Sequence, residues 1–328
     1  MHANTRNLTI AFFVLLVFGA LSPMTLGSAK FPQWLEVVLG GLMSGVLYSL
    51  VALGLVLIFK ASGVFNFAQG AMVLFAALTL VRVMEKLPLA AALLVTIAIM
   101  VALAWLVERL VLRPLVNQEG IVLFMATLGV AYFLDGFGQT IWGSDIYTLH
   151  VGMPKEPKII LENTFEGGLL VNMEDAIAAL LAATMVAALA LFFQKTGTGR
   201  ALRAVADDHQ AAQSIGIPLN RIWVIVWSVA GLVALVAGVI WGSKLGVQFS
   251  LQLVALKALP VVILGGFTSI PGAIVGGLII GLGEKISEVY LGPMLGGGIE
   301  NWFAYVLALI FLLFRPEGLF GERHIDRV

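Results

Sequence analysis

Along the chain, long apolar runs alternate with short polar gaps, and the runs carry the first reading. A helix that crosses a bilayer needs about 20 mostly apolar residues. Windows of that kind fall near 8–28, 35–59, 64–82, 88–107, 120–142, 173–193, 221–242 and 300–314. A further apolar stretch, 251–291, is interrupted by Gly265-Gly266-Phe267-Thr268-Ser269-Ile270-Pro271-Gly272 and reads as two more passes or a re-entrant hairpin. The pattern predicts an all-α, polytopic transmembrane helix bundle of about 8–10 passes. A broken or re-entrant hairpin is expected near 256–281, and one transmembrane domain spans 1–328. The 8–28 segment, with Arg6 ahead of it, reads as a retained helix. Its apolar part is long for a signal peptide, and no clean A-x-A site follows.

Two polar interruptions are longer than a turn requires. One covers about 143–172. The other is "GTGRALRAVADDHQAAQSIG", residues 197–216. Thr198 is placed to cap a helix there, and Gly216 followed by Pro218 is a stop signal, so a helix is expected over about 198–216. Ala201, Val205, Ala212 and Ile215 give it a thin apolar stripe, interrupted by Asp208. That is too little apolar face for a helix lying in lipid. It suits contact with a groove on another protein, edged by Arg200, Arg203 and Asp207.

Composition fixes the solvent. The chain is 60% hydrophobic and 12% charged, with a mean hydropathy of +1.01. Soluble domains carry roughly 45–50% apolar and about 25% charged residues. Lipid must therefore surround most of this one. The formal net charge is zero, which argues against a nucleic-acid partner. Basic residues in the short loops orient the spans. With ten passes and a cytoplasmic N-terminus, the cytoplasmic side holds Arg6, Lys60, Arg109, Arg113, Lys195, Arg200, Arg203, Arg221, Arg315, Arg323 and Arg327. The opposite side holds Lys30, Arg82, Lys86, Lys155, Lys158, Lys244 and Lys285, and Lys257 falls within a span. That orientation puts 197–216 in the cytoplasm. It makes 143–172 an external loop, either a plain cover or a docking surface for a soluble protein.

Candidate chemistry is sparse. There are no cysteines, the four histidines lack ligand spacing, and no P-loop, HExxH or GxSxG occurs. No catalytic residue, metal site or cofactor is expected. Within the spans, "GVFNFAQG" places Asn66 and Gln69 between apolar runs. Buried amides must face protein or a water-filled cavity, so these residues mark either a broken helix at a translocation path or a tight cytoplasmic turn. Gly265, Gly266, Ser269 and Pro271 mark a bend in the second interrupted region. Gly272-x-x-x-Gly276 and Gly277-x-x-x-Gly281 favour close helix packing. Asp135 and Lys257 are ionisable groups inside spans at compatible depths. An ion pair, snorkelling of Lys257, or direct substrate contact all fit.

Several of these stretches together resemble one family. "GRALRAVADDHQAAQSIGI" is similar to the cytoplasmic coupling loop of the branched-chain amino acid ABC importer permeases. "GLMSGVLYSLVALGLVLIF", "GVFNFAQGAM", "ERLVLRPL", "LKALPVVILGGFTSIPGAIVGGLIIG" and "RPEGLFG" follow the pattern of its H-type subunit. The motifs run in order from about residue 40 to 321. The resemblance implies a membrane-spanning permease subunit in a bacterial or archaeal inner membrane. It implies two ABC ATPase subunits, a second homologous permease subunit and a soluble substrate-binding protein as partners, beside membrane lipid. It implies that Gly199, Arg200, Arg203, Asp207, Asp208, Ala211, Ala212 and Gly216 seat on an ATPase. Two departures stand out: Gln69 replaces a family His, and Asp135 replaces a neutral amide. Branched-chain amino acids are the implied cargo, with urea, amides or aromatic acids as alternatives. An ion-gradient secondary transporter is the rival class, and it lacks the expected set of mid-membrane carboxylates. A membrane-embedded enzyme lacks a visible catalytic set.

Overall fold

The computed structural model describes residues 12, 14, 16–19, 21–23, 30–115, 118–165, 167–207 and 209–321. Those between 12 and 23 are helical, within the first expected span. The first half of the chain then supplies α1 (Phe31–Ser62), α2 (Gln69–Met84), α3 (Leu89–Val107) and α4 (Gly120–Trp142), with a π-helical turn at Glu108–Leu112 after α3. A hairpin of β1 (Pro157–Ile160) and β2 (Leu169–Asn172) precedes α5 (Met173–Lys195), α6 (Gly197–Asp207) and α7 (His209–Ser214). The last part contains α8 (Leu219–Leu245), a 3-10 turn (Phe249–Leu253), α9 (Val254–Gly265), α10 (Ile270–Leu295) and α11 (Phe303–Phe314). Among the described residues, six helices are long and apolar enough to cross a membrane: α1, α3 with its continuation to Leu115, α4, α5, α8 and α10. Three shorter apolar helices are Gln69–Met84, Phe249–Gly265 and Phe303–Phe314. The protein is a polytopic all-α membrane bundle.

The chain divides into two compact units, each built from separate stretches. One contains the described residues of 1–49, 153–183 and 257–328. The other contains 50–152 and 184–256. In the second unit α2 is the centre. Every residue from Gln69 to Val81 is buried, as expected of a helix that is apolar all round. It packs against α3, α4, α8 and the 249–253 turn. At 16 residues it is about 24 Å long, short of the roughly 30 Å hydrocarbon core. The expected span at 64–82 therefore starts later, because 63–68 is irregular backbone.

In the first unit α10 packs against α11, and α1 crosses α10 at very short range. A side chain at Gly45 would meet the Gly277 carbonyl oxygen at 2.7 Å. Ser49 Oγ donates to Ile274 O at 3.1 Å across the same contact. The region 251–291 forms two helices joined by a short turn. The polypeptide after α11 lies back along that turn, with Leu319 N donating to Leu264 O (2.8 Å) and Phe320 N to Gly265 O (3.1 Å).

The 143–172 connection contains the one strand pair among the described residues, which the apolar pattern does not announce. Its register pairs Ile159 with Leu170 and Ile160 with Leu169. Leu169 and Val171 are buried, while Ile159 and Leu170 face out. Glu36 Oε1 of α1 accepts from Leu170 N at 2.6 Å and ties the hairpin to the bundle.

Candidate functional site

The polar segment after α5 is two helical stretches, α6 and α7, where one helix is expected over 198–216. Asp208, between them, lies outside the described residues. The cap is Thr196 rather than Thr198. Its Oγ accepts from Gly199 N at 3.3 Å, the N3 amide of a helix starting at Gly197, which is the standard N-cap bond. Gly199 sits against the Phe193 backbone with no room for a side chain. Arg203 Nη1 donates to Phe193 O at 2.9 Å, covering a carbonyl that the end of α5 leaves open. So Gly199 and Arg203 fold the segment onto the end of α5.

The stop is as expected. Gly216 has φ +85°, with Gly216 N on Gln213 O and Ile217 N on Ala212 O, both 3.0 Å. That is the Schellman pattern. Leu202, Val205 and Ala212 are buried, and α6 and α7 both lie against α8. Arg200, Arg203, Asp207, Ala211 and Gly216 are exposed, and Ile215 is 75% exposed. The expected apolar stripe is therefore split: Val205 and Ala212 face the bundle with Leu202, and Ile215 faces away.

Asn66 and Gln69 are enclosed by protein, at 1% and 0% exposure. Asn66 Oδ1 accepts from Ala68 N (3.0 Å), and its Nδ2 donates to Gln69 Oε1 (3.3 Å). Gln69 Nε2 donates to Ala230 O of α8 (3.3 Å). Ala230 lies midway along α8, so α2 begins deep in the unit. The irregular 63–68 backbone is covered from several sides. Thr127 Oγ1 donates to Phe65 O within it (3.3 Å), and Trp223 Nε1 donates to Ala61 O in the last turn of α1 just before it (3.1 Å). This is what apolar surroundings demand of non-helical backbone.

Gly265, Gly266, Ser269 and Pro271 lie together at the α9–α10 turn. Ser269 is the N-cap of α10, its Oγ accepting from Gly272 N at 3.0 Å, and Pro271 sits in the first turn, where its missing N–H is harmless. These residues make a capped turn held by the 315–321 segment.

The expected Asp135–Lys257 pair is corrected. Lys257 Nζ lies 3.1 Å from Glu284 Oε1 of α10, and Tyr48 OH donates to the same oxygen at 3.0 Å. Glu284 is 5% exposed. The α9–α10 turn folds Lys257 back toward α10, so a carboxylate on α10 was its natural partner, and a search along separate spans passes it over. Asp135 stands apart: its Oδ1 is buried without a hydrogen-bond partner.

A second buried carboxylate also escaped the sequence reading. Glu108 is 0% exposed and takes Arg113 Nε and Nη2 at 3.1 and 3.0 Å. The π-helical turn 108–112 makes this possible, because it bonds residues five apart, and Arg113 N reaches Glu108 O. The stretch "ERLVLRPL" is thus a bidentate ion pair across one wide turn.

These features define a multi-pass helical membrane protein with a capped polar segment between two long apolar helices. A family model described as "Branched-chain amino acid transport system / permease component" matches residues 37–315. The high-affinity branched-chain amino acid transport system permease protein LivH of Salmonella typhimurium is 28% identical over 92% of this chain and 100% of its own length. The corresponding protein BraD of Pseudomonas aeruginosa is 27% identical over 90% and 98%. The probable LivH of Methanocaldococcus jannaschii is 29% identical over 86% and 91%. The chain belongs to this family of transport permeases. It is a transport subunit of the inner membrane and not an enzyme.

Proposed function

We propose that this chain is the membrane-spanning permease subunit of an ATP-driven importer of branched-chain or closely related amino acids. The match to permeases of such systems over nearly their whole length carries the reading. The α6–α7 segment supports it: a capped, rigid polar element between two spans is what a separate ATPase needs to push on. We further propose two ATPase subunits, a second homologous permease subunit and a soluble substrate-binding protein as partners. The whole chain would then work as a single permease domain.

Within α6–α7 the roles divide. Gly199, Arg203, Ala212 and Gly216 shape the segment. Arg200, Asp207, Ala211 and Ile215 form the surface offered to the ATPase, with exposed Ile215 as its apolar anchor. The test is purification of the complex carrying Asp207→Lys with Ile215→Asp, followed by uptake assays in proteoliposomes. ATPase recovered with the permease is expected to fall about tenfold or more, with the variant's thermal stability unchanged. Wild-type uptake is expected to require ATP and to survive collapse of the proton gradient. Normal ATPase recovery and uptake by the double variant would refute the docking surface. Uptake by the permease alone on an ion gradient would refute the importer.

A further inference from the structure

From Ala90 to Leu106 every exposed residue of α3 is apolar, Leu94, Val101 and Trp105 among them, as contact with hydrocarbon asks. The stripe does not end there. Arg109, Leu110 and Arg113 are exposed as well and continue it at helical spacing through the π-helical turn. The span Leu89–Leu115 covers 27 residues, about 40 Å along its axis, against a hydrocarbon core of roughly 30 Å. The excess carries its ends to headgroup level. Two guanidinium groups therefore stand at the rim of a lipid-facing apolar face.

Both are held in place, and both keep donors to offer. Arg113 gives Nε and Nη2 to buried Glu108, which leaves Nη1 outside that bond and 41% of the side chain exposed. Arg109 lies over the Trp105 ring, 5.3 Å from its centroid, a cation–π contact that leaves its N–H groups open. Arg82 stands over Tyr147 at the same distance, but Glu85 closes it at 2.6 Å. Among the described residues no carboxylate pairs with Arg109. Trp105 is 44% exposed and Leu110 68%, and tryptophan at the end of a span marks the membrane–water interface.

We propose that the Trp105–Arg113 end of α3 binds an anionic glycerophospholipid, with its phosphate at Arg109 and Arg113 and its acyl chains along Trp105, Leu106 and Leu110. Basic groups at a membrane surface attract anionic headgroups, and guanidinium matches phosphate in geometry as well as charge. The apolar stripe decides the source of that phosphate. A free anion would use the arginines alone, whereas a headgroup on its chains uses the whole face. A zwitterionic lipid brings its own ammonium beside the phosphate and gains less. The site depends on α3 crossing the membrane and on no particular cargo.

The full chain, purified with whatever subunits accompany it, is reconstituted in phosphatidylcholine vesicles. These carry a trace of phosphatidylglycerol or of phosphatidylcholine bearing a photoreactive acyl chain, and cross-linked peptides are read by mass. Residues 101–115 are expected to be labelled about tenfold more by phosphatidylglycerol, roughly fivefold of it from Arg109. Arg113 adds the lesser part, because Glu108 shares its charge. Residues 89–98, on the same face, should show no preference. Arg109→Gln should lower the preference at 101–115 to about twofold. Trp105→Leu should lower it about two- to fivefold with the charges unchanged. Arg109 makes no ion pair among the described residues, so Arg109→Gln reads the site without stranding Glu108 as Arg113→Gln would. Unlabelled phosphatidylglycerol should compete, and inorganic phosphate should not. Equal labelling by the two lipids, the same preference at 89–98, or a preference unmoved by Arg109→Gln would each overturn the proposal. Competition by inorganic phosphate would make this a free-anion site, and absence of labelling at 101–115 would make it a protein contact; either result overturns the lipid site.

Discussion

Two charged sites within the spans are built on opposite terms. Glu284 is enclosed, and its Oε1 is shared by Lys257 and Tyr48. Asp135 has a buried oxygen that nothing bonds. The same contrast recurs at α6 and α7, where Arg203 is tied to Phe193 O while Asp207 and Ile215 face outward. Glu284 and Arg203 are thus satisfied within the fold, while Asp135 Oδ1 is left without a partner and Asp207 and Ile215 are exposed. Substitutions at closed sites should therefore cost stability. Those at open sites should cost transport or assembly, and the fold should tolerate them.

The largest stability effect is expected at the closed pair. Glu284→Leu strands Lys257 in a span and removes the acceptor for Tyr48 OH. Breaking a buried pair costs about 3–5 kcal/mol. Lys257 has 38% of its side chain exposed, so snorkelling lowers this to about 3 kcal/mol. Thermal unfolding of the purified complex should show a large loss for Glu284→Leu and substantial recovery when Lys257→Met is added, the non-additivity of a direct contact. A double variant as poor as the two singles combined would dissolve the distinction between closed and open charges.

A smaller loss is expected at Glu108. Glu108→Gln keeps the shape and removes the charge that Arg113 grips. Arg113 is 41% exposed and can turn to water, so the cost should be about 1–2 kcal/mol. The same unfolding assay reads it. No change would mean that the π-helical turn is held by its backbone bonds alone.

Much of this was legible in the sequence, for reasons that differ by element. Apolar runs of about 20 residues fix helices because lipid leaves no other way to satisfy a spanning backbone, so α1, α3, α4, α5 and α8 were readable. The end of α7 was readable too, since Gly216 and Ile217 N–H groups close a purely local motif. The hairpin at 157–172 was hidden because its pattern is short and amphipathic beside far stronger apolar signals. Lys257 was recognised as unusual, with a pair to Asp135 as one of three readings, and Glu284 was not among its candidate partners. Pairing depends on which helices lie side by side, and depth along separate spans does not encode that. For Asn66 and Gln69, the amide chemistry predicted burial in protein or a cavity. The choice between the two depended on Ala230 O, more than 150 residues away.

The smallest effect is also the sharpest, because it turns on two neighbouring residues of one type. Thr196 Oγ accepts from Gly199 N and donates to Phe192 O at 2.6 Å, so it joins the end of α5 to the start of α6. Thr198 is the second residue of α6, and there its β-branch only lowers helix propensity. Thr196→Ala should therefore destabilise the start of α6 by about 1 kcal/mol, the usual cost of a lost N-cap. Thr198→Ala should stabilise it by up to about half a kcal/mol, since Ala is the better helix former. Amide hydrogen exchange across 197–207 measures this local opening without requiring global unfolding. Protection should fall in the first variant and rise slightly in the second. Through the rigidity of α6, the first should also lower the amount of cargo moved per ATP. Equal protection in both variants would mean that the segment is held by its packing on α8 alone, and the cap would have no part in coupling.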